Sequence, residues 1–352
     1  MRKEKKHSLI KKLQQKIILL FRLNRKPVVI VYNGYGNDQK VVIFGHLLQL
    51  SPAMRKRYRQ NWLINALYLL RLFMVSPYAF ARLSVEWGGS QYYTRSQDDG
   101  FFRFELDAGR PPRPGWHKVV VQLEEERFRK QKICGAGQVL IPFASRYVFV
   151  SDIDDTFLIS HSSSLRRRLY VLLTKNAWTR RPFEGVVKHY RLLASYGQRQ
   201  GQPNPFFYVS SSEWNLFYFI REFTNKNGLP KGIFLLNELK KLAQVFRTGQ
   251  HNHATKFRRI VRIVEAFPQR RFVLFGDDSQ DDPTIYAALA GHFAGRIYAV
   301  YIRRVHQKKF EKVQRVMNTM AAAGVHCCYF THSEEAVTHS KKIQLVADDQ
   351  RL

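Results

Sequence analysis

Three acidic residues and a threonine follow a short apolar segment near the middle of the chain. The segment, Tyr147 to Val150, is a β-branched and aromatic run that predicts a buried strand. Asp152, Asp154 and Asp155 come just after it, and Thr156 is next. Carboxylates at the end of a buried strand repel one another and lose hydration, so they are costly unless a cation or the chemistry of an anionic transition state requires them. The alternative is an ordinary acidic turn after the strand.

Further polar residues lie at the ends of three more predicted elements. They are Ser210, Ser211, Ser212, Thr255, Lys256, Asp277, Asp278, Asp281 and Asp282. Taken singly, a serine there can cap a helix, the lysine can be a surface residue, and the acids can occupy a helix N-terminus. The carboxyl ends of strands are where open α/β sheets bind ligands. Because these groups follow successive predicted strands of a parallel sheet, we expect them to converge at one edge.

The elements that must position these groups alternate along the chain after Arg146. We predict strands at 147–152, 205–210, 232–236, 271–276 and 296–302, and helices at 183–196, 213–226, 255–267, 282–292 and 308–322. Strands that alternate with helices are typical of a parallel sheet in an α/β domain. Residues 157–182 form a long connection, rich in Ser, Arg and Lys, between the first strand and the first helix. Such a connection above the strand ends favours a cap or lid.

The chain before residue 146 has a different pattern. Residues 28–32 and 41–44 are strand-like apolar runs, apolar and polar residues alternate at 83–87, 101–106, 118–123 and 138–141, and a helical pattern covers 63–73. This predicts a small antiparallel β domain, sandwich-like, with a helical insertion. The predicted organisation is therefore a basic amphipathic segment at 1–26, a β-rich domain at 27–145 and an α/β domain at 146–345.

The charge of the chain is strongly positive. Its 352 residues include 58 Lys and Arg but only 27 Asp and Glu, which gives a net charge of +31. Such a charge favours an anionic partner, either nucleic acid or an anionic membrane surface. In segment 1–26 apolar residues recur at helical spacing among the lysines, so this segment can lie on a membrane surface or be a solvated, frayed terminus.

No segment of the sequence predicts a membrane span or a disulfide framework. None approaches the about 18 consecutive apolar residues that a spanning helix needs. The three cysteines include an adjacent pair, Cys327 and Cys328, which indicates a reducing compartment. We therefore expect a cytoplasmic protein, soluble or peripheral to a membrane.

The four polar groups resemble the four motifs of the haloacid dehalogenase superfamily phosphatases. Asp-x-Asp-x-Thr begins at Asp152, the serine is Ser210, the lysine is Lys256, and Gly276-Asp277 precedes further acids. Longer stretches resemble one branch, the actin-patch-protein type of Mg²⁺-dependent phosphatidate phosphatase and its bacterial relatives. These stretches are 32–37, 150–156, 204–212, 228–232, 272–277 and 282–286. One departure is Asp278-Ser279 with Asp281, where that branch is expected to have Ser-Gly and His.

The resemblance implies a fold and a set of roles. The fold is a Rossmann-like parallel-sheet catalytic domain preceded by a small antiparallel β domain. Asp152 is implied as the nucleophile that forms an aspartyl-phosphate, and Asp154 as the group that protonates the leaving alcohol and then accepts a proton from water. The implied phosphate-binding residues are Thr156, Ser210 and Lys256. The implied Mg²⁺ ligands are Asp152, the backbone carbonyl of Asp154, Asp277, and Asp282 in preference to Asp281.

The function implied by this branch is hydrolysis of phosphatidate to diacylglycerol at the inner face of a membrane. A phosphatase of a soluble phosphomonoester or of a nucleic-acid end is the alternative within the enzyme class. An inactive nucleic-acid-binding or scaffold protein is the alternative from another class, and the positive charge supports it. Against it, all four catalytic motif positions are filled and no RNA- or DNA-binding motif is present.

Overall fold

The computed structural model describes residues 23–24, 26–52, 72–128, 131–153, 182–199, 201–239 and 252–347. Several predictions fall outside these ranges. They are Asp154, Asp155, Thr156, nearly all of the basic segment 1–26, the helix at 63–73 apart from its last two residues, and the lid at 157–182 apart from its last residue.

In the described part of the chain, the first sheet contains ten strands and is antiparallel apart from one pair. The strands are β1 (Leu23–Asn24), β2 (Val28–Val31), β3 (Gly34–Gly36), β4 (Lys40–Pro52), β5 (Ser76–Pro77), β6 (Arg82–Trp87), β7 (Ser90–Arg95), β8 (Phe101–Asp107), β9 (Gly115–Leu123) and β10 (Cys134–Ile141). The long strand β4 pairs with β1, β2, β3, β5 and β8, and only β3 with β10 is parallel. The predicted antiparallel character is thus confirmed for this part of the chain, whereas the sandwich-like layering stays a prediction.

The second sheet is parallel throughout, as the alternating pattern predicts. Its strands are β11 (Tyr147–Ser151), β12 (Phe206–Glu213), β13 (Ile233–Asn237), β14 (Arg271–Asp277), β15 (Ile297–Arg303) and β16 (His326–Phe330), in the order β13-β12-β11-β14-β15-β16. The described helices are α1 (Val186–Ser195), α2 (Phe217–Asn227), α3 (Asn252–Ala266), α4 (Asp282–His292), α5 (Phe310–Ala322) and α6 (Ser333–Lys342). Strand β16 and helix α6 were not predicted from the sequence.

The buried apolar side chains form two clusters, and β2 contributes to both. Val29 and Val31 belong to a cluster within the first sheet, whereas Ile30 belongs to the core of the parallel sheet. This alternation is the period of two expected of a strand with both faces buried. One face of the first sheet therefore packs against the α/β part of the chain. Because the two parts share a core, the domain boundaries at 27, 146 and 345 stay predictions.

Side-chain hydrogen bonds also join the first sheet to the α/β part of the chain. Asn33 donates from Nδ2 to the carbonyl oxygen of Gly232 at 2.9 Å, and Asn37 donates to that of Ala266 at 2.9 Å. Both asparagines flank β3, in the turn-rich stretch 32–37. That stretch therefore connects the first sheet to the α/β part as well as reversing the chain.

None of the described helices is long and apolar enough to cross a membrane.

Candidate active site

Asp152 lies at the carboxyl edge of the parallel sheet. The preceding residue, Ser151, pairs with Tyr208 of β12 on one side and with Phe275 of β14 on the other. The backbone N–H of Asp152 donates to the carbonyl oxygen of Phe275 at 2.8 Å. The sheet register therefore places Asp152 beside the last two residues of β14 and beside the second half of β12. This is the carboxyl edge, at which open α/β sheets bind ligands.

Three buried carboxylates meet at this edge. Asp152 follows β11, Asp277 ends β14 and Asp282 begins α4. One carboxylate oxygen from each lies within 4.8 Å of the other two, and all three residues are 0% exposed. Three oxygen donors at this separation fit a hard divalent cation, which prefers carboxylate and water ligands.

A single buried lysine contacts two of these acids. Lys256 lies in α3 and is 2% exposed. Its Nζ donates to Oδ1 of Asp152 at 2.7 Å and also to Oδ1 of Asp282. Burial lowers the pKa of Lys256, but the two carboxylates outweigh burial and hold the pKa above its usual value. The ammonium group therefore stays charged, and it compensates for only part of the negative charge of three carboxylates.

Asp277 shows the consequence of this charge imbalance. Burial, and then the charge of Asp282, raise the pKa of Asp277 to about 7. The backbone N–H of Ser279 donates to Oδ1 of Asp277 at 2.5 Å and acts in the opposite direction by stabilising the charged form. A carboxyl group that ionises with difficulty beside a second carboxylate is typical of a site that holds a cation or binds an anionic substrate.

Gly276 allows Asp282 to approach the strand end. A Cβ atom at position 276 would overlap Oδ2 of Asp282 and lie 2.8 Å from its Cβ. That same Oδ2 accepts a hydrogen bond from the backbone N–H of Asp277 at 3.3 Å. Glycine is thus required here for the close packing of β14 against the start of α4.

Ser210 lies on β12, which pairs with β11, and is 0% exposed. Its Oγ accepts a hydrogen bond from the backbone N–H of Ser212 at 2.8 Å. Arg259, which was not predicted from the sequence, donates to the carbonyl oxygen of Ser210 at 3.3 Å and to Oδ1 of Asn237 at 2.9 Å. Arg259 lies three residues after Lys256 on α3. This spacing places both residues on one face of a helix, and it was the sequence signal that could have identified Arg259. Burial lowers the pKa of Arg259 to about 10.

A second missed contact lies behind Asp152. The hydroxyl of Ser151 donates to the carbonyl oxygen of Asp152 at 2.6 Å and lies 2.8 Å from the hydroxyl of Tyr190 on α1. These bonds hold the backbone at the point where the strand gives way to the acidic segment. Ser151 lies inside the family-like stretch 150–156, but Tyr190 lies in none of these stretches, so no sequence pattern indicated their contact.

Asp278, which departs from the expected motif, contacts residues at the ends of other strands instead of the acidic cluster. Its carboxylate accepts hydrogen bonds from the backbone N–H groups of Val305 at 2.8 Å and His306 at 3.0 Å, and from the hydroxyl of Tyr329 at 2.8 Å. Lys309 donates from Nζ to the carbonyl oxygen of Asp278 at 2.7 Å. Asp278 thereby fixes the loop after β14 to the ends of β15 and β16.

The two candidates for a further metal ligand, Asp281 and Asp282, lie in different environments. Asp282 lies in the acidic cluster, whereas Asp281 is exposed and precedes the first turn of α4. Four residues singled out from the sequence are thus brought into one cluster, namely Asp152, Lys256, Asp277 and Asp282. Thr255 is half-buried beside Lys256, and Ser210 is on the neighbouring strand.

Comparison with known proteins points to one catalytic domain. Residues 147–304 match the family model described as phosphatidate phosphatase APP1, catalytic domain. This range begins at the first residue of β11, ends just after β15 and contains all four residues of the cluster. The match supports a phosphatase enzyme.

Two curated relatives and one solved structure are similar to the chain. Phosphatidate phosphatase APP1 of Saccharomyces cerevisiae is 29% identical over 157 residues, and an uncharacterised protein of Schizosaccharomyces pombe is 25% identical over 158 residues. Each alignment covers 44% of this chain and 25% of the relative, so the aligned part spans about a quarter of the relatives' length. A carbohydrate acetylesterase from Xanthomonas citri aligns with 93% of this chain and 76% of its own chain, at 9% identity and a TM-score of 0.33.

Proposed function

We propose that the protein is a Mg²⁺-dependent phosphatidate phosphatase that releases phosphate from phosphatidate and leaves diacylglycerol. The observation that carries this proposal is the buried contact of Lys256 with Asp152 and Asp282, beside Asp277, inside the range that matches the phosphatidate phosphatase catalytic domain. The order of these residues on a parallel sheet supports membership of the haloacid dehalogenase superfamily, as a bacterial-type member of this branch.

The acidic cluster is the proposed metal site. Asp152, Asp277 and Asp282 would hold Mg²⁺, together with the backbone carbonyl of Asp154, which lies outside the described residues. The donor set fits this ion because all the donors are oxygens and the negative charge exceeds that of the one lysine. When bound, Mg²⁺ would neutralise phosphate oxygens and allow a carboxylate to approach the phosphorus atom.

The residues of the chain have distinct proposed roles in the reaction. Asp152 attacks the phosphorus atom, the ester bond to the lipid oxygen breaks, and an aspartyl-phosphate forms. Asp154 protonates the departing alkoxide and later takes a proton from the water that hydrolyses the aspartyl-phosphate. Lys256 and Ser210, with Thr156, hold the phosphoryl oxygens. The short ion pair between Lys256 and Asp152 supports this role, since it places a fixed positive charge where the phosphate's charge must be accommodated.

The proposed place of action is the cytoplasmic face of a membrane. A lipid phosphate does not diffuse freely into a buried site, so the protein must approach the bilayer. The net charge of +31 supports a peripheral association with anionic lipid. The same charge also favours nucleic acid, and this makes a phosphorylated nucleic-acid end the second candidate substrate.

The test is release of phosphate from a substrate panel with Mg²⁺ and with a chelator. The panel contains phosphatidate, lysophosphatidate, diacylglycerol pyrophosphate, sugar phosphates, and oligonucleotides with 3′- or 5′-phosphates. We expect Mg²⁺-dependent release from phosphatidate. Asp152→Asn should lower turnover by several orders of magnitude while the circular dichroism spectrum is kept. Activity on oligonucleotides alone would replace the lipid with a nucleic-acid end as substrate.

Lys256→Ala tests the phosphate-binding role separately. We expect severe loss of activity, because the described cluster contains no other cation. Lys118→Ala is the matched control, since Lys118 is exposed on β9 in the first sheet. Near-normal activity of Lys256→Ala would assign the role to another lysine, and Lys240 and Lys241 are the alternatives that the sequence offers.

A further inference from the structure

A basic and apolar surface follows β15 at the edge of the parallel sheet that carries the acidic cluster. We call it the basic rim, and it consists of Arg304, Val305, Lys308, Phe310 and Lys312. Val305 is 39% exposed and Phe310 is 36% exposed. Lys308 and Lys312 are exposed and Arg304 is half-buried. Between residues 303 and 312 the chain has five basic residues and one acidic residue.

The basic rim is fixed to the active site by hydrogen bonds. Arg303, the last residue of β15, pairs in register with Asp277 of the acidic cluster. The backbone N–H groups of Val305 and His306 donate to the carboxylate of Asp278, which is the neighbour of Asp277 in the chain. The rim and the acidic cluster therefore belong to one rigid edge of the sheet, and a surface bound by the rim would lie close to the site.

Two of the exposed large apolar side chains in the described part of the chain belong to the basic rim. Five large apolar side chains are exposed in this described part. Of the three outside the rim, Tyr93 and Val120 lie on strands of the first sheet and Phe80 lies between β5 and β6. Phe310 is held in place by stacking on Tyr329, with ring centroids 5.7 Å apart. The guanidinium carbon of Arg304 lies 5.6 Å from the centroid of the Phe310 ring. Exposed apolar groups flanked by cations are typical of surfaces that enter the interface of an anionic bilayer.

We propose that the basic rim docks the catalytic edge on an anionic lipid bilayer, and this rests on the proposed lipid substrate. Val305 and Phe310 enter the interface, while Arg304, Lys308 and Lys312 meet the lipid phosphates. A bilayer fits better than nucleic acid because an aliphatic side chain such as Val305 is buried by lipid, whereas contacts to a nucleic-acid backbone use charges and hydrogen-bond donors. The acidic residue in the rim sequence, Glu311, is exposed and weakens the attraction without reversing its sign.

The test compares two double variants of the full chain. Val305→Ser with Lys308→Ser changes the rim without removing the backbone N–H that Val305 donates to Asp278. Val120→Ser with Lys118→Ser is the matched control, because this exposed pair lies on β9 of the first sheet. Sedimentation with phosphatidylcholine vesicles, with and without phosphatidylglycerol, measures binding. We expect the rim variant to bind anionic vesicles at least about fivefold more weakly than wild type, and the control variant to bind as wild type does.

Enzyme assays separate docking from substrate choice. The rim variant should lose activity on phosphatidate in vesicles and keep it on monomeric dihexanoyl phosphatidate. If phosphatidate is not hydrolysed at all but the rim variant still loses vesicle binding, the docking surface stands and the substrate assignment fails. Equal vesicle binding by the rim and control variants overturns the docking surface. A rim variant that binds a DNA oligonucleotide more weakly but binds vesicles as wild type does also overturns the docking surface. Lys312→Ser alone repeats the binding test with a smaller change if the double variant is unstable.

Discussion

The phenol ring of Tyr32 stacks on the indole ring of Trp214, with centroids 3.9 Å apart and planes inclined by 10°. Tyr32 follows β2 of the first sheet, and Trp214 directly follows β12, the strand that carries Ser210. The hydroxyl of Tyr32 is hydrogen-bonded to Nδ1 of buried His46 at 3.0 Å. An aromatic pair in this geometry adds to the free energy of burial. The first sheet therefore supports the strand that positions one of the proposed phosphate-binding residues.

Replacing Tyr32 should show how much this support contributes. Tyr32→Ala removes a large buried ring and should lower the free energy of unfolding by about 3 kcal/mol. Tyr32→Phe removes only the hydroxyl and should cost about 1 kcal/mol, because His46 loses a hydrogen-bond partner. Urea denaturation followed by tryptophan fluorescence measures both. Tyr93→Ala is the control, since Tyr93 is 50% exposed. If it costs as much as Tyr32→Ala, the contact with Trp214 is not a significant support.

His46 should make the folded state sensitive to acid. Burial lowers the pKa of His46 to about 3, well below its value in an unfolded chain. The unfolded state then binds more protons than the folded state between about pH 6.5 and pH 3. The contribution of neutral His46 to the free energy of unfolding is therefore complete above about pH 6.5 and is lost as the pH falls. His46→Gln should show a smaller loss of stability than wild type from pH 7 to pH 4, measured by urea denaturation. The exposed His326 gives the control variant His326→Gln, and an equal slope in both variants would contradict the prediction.

Much of the parallel sheet was predictable because its strands are continuous apolar runs. The strand predicted at 271–276 is Arg271–Asp277 in the structure, and the helix predicted at 282–292 is Asp282–His292. β16 was missed because His326–Phe330 is partly polar and only its last residue is buried. Such a strand forms through pairing with β15, and the period of its own residues gives little signal.

The residues that form the acidic cluster were more predictable than the contacts between them. Motif spacing identified Lys256 and Asp282, but their contact depends on how α3 and α4 pack, which no local pattern describes. Asp278 is the clearest case. Its partners Val305 and Tyr329 lie 27 and 51 residues away, so its role in joining strand ends was not visible in the sequence. A motif can identify such a polar residue in the sequence, but its contacts depend on the tertiary structure.

Asp277→Asn should abolish activity and raise the stability of the protein. In the described cluster, three buried carboxylates face one ammonium group, and Asp277 stands beside Asp282. The amide removes one negative charge and still accepts the hydrogen bond from Ser279, so we expect the free energy of unfolding in a chelator to rise by about 1 kcal/mol. Mg²⁺ should raise the Tm of wild type but not of the variant, because a ligand stabilises only a state that binds it. Phosphate release should be abolished. A variant less stable than wild type in the chelator would contradict this account of the charge balance.

Gly276→Ala should disturb the acidic cluster without changing any charge. The new Cβ would overlap Asp282, so that carboxylate must shift away from Lys256 and Asp277. We expect at least about a tenfold loss of activity and a stability cost of roughly 1–3 kcal/mol from overpacking. Gly291→Ala is the matched control, because Gly291 lies in α4 with no atom within 4 Å of the new Cβ. That substitution should be neutral or stabilise the helix by up to about 1 kcal/mol. Full activity of Gly276→Ala would mean that the position of Asp282 is not critical.

The three acids after Asp277 should respond differently to substitution by alanine. Asp278→Ala leaves the N–H groups of Val305 and His306 and the hydroxyl of Tyr329 without the carboxylate that accepts from them. Three part-buried donors that lose their acceptor are costly, so we expect a loss of about 3 kcal/mol in the free energy of unfolding and a lower Mg²⁺ affinity from the loosened loop.

Asp281→Ala changes an exposed residue that makes no side-chain cap to α4, and its stability should stay within about 0.5 kcal/mol of wild type with activity retained. Asp282→Ala removes a partner of Lys256 and a member of the acidic cluster, and should abolish activity. Mg²⁺ titrations of phosphate release, together with urea denaturation, measure all three variants. An inactive Asp281→Ala beside an active Asp282→Ala would reverse the assignment of the further metal ligand, because the acid that the ion requires would then be the exposed one.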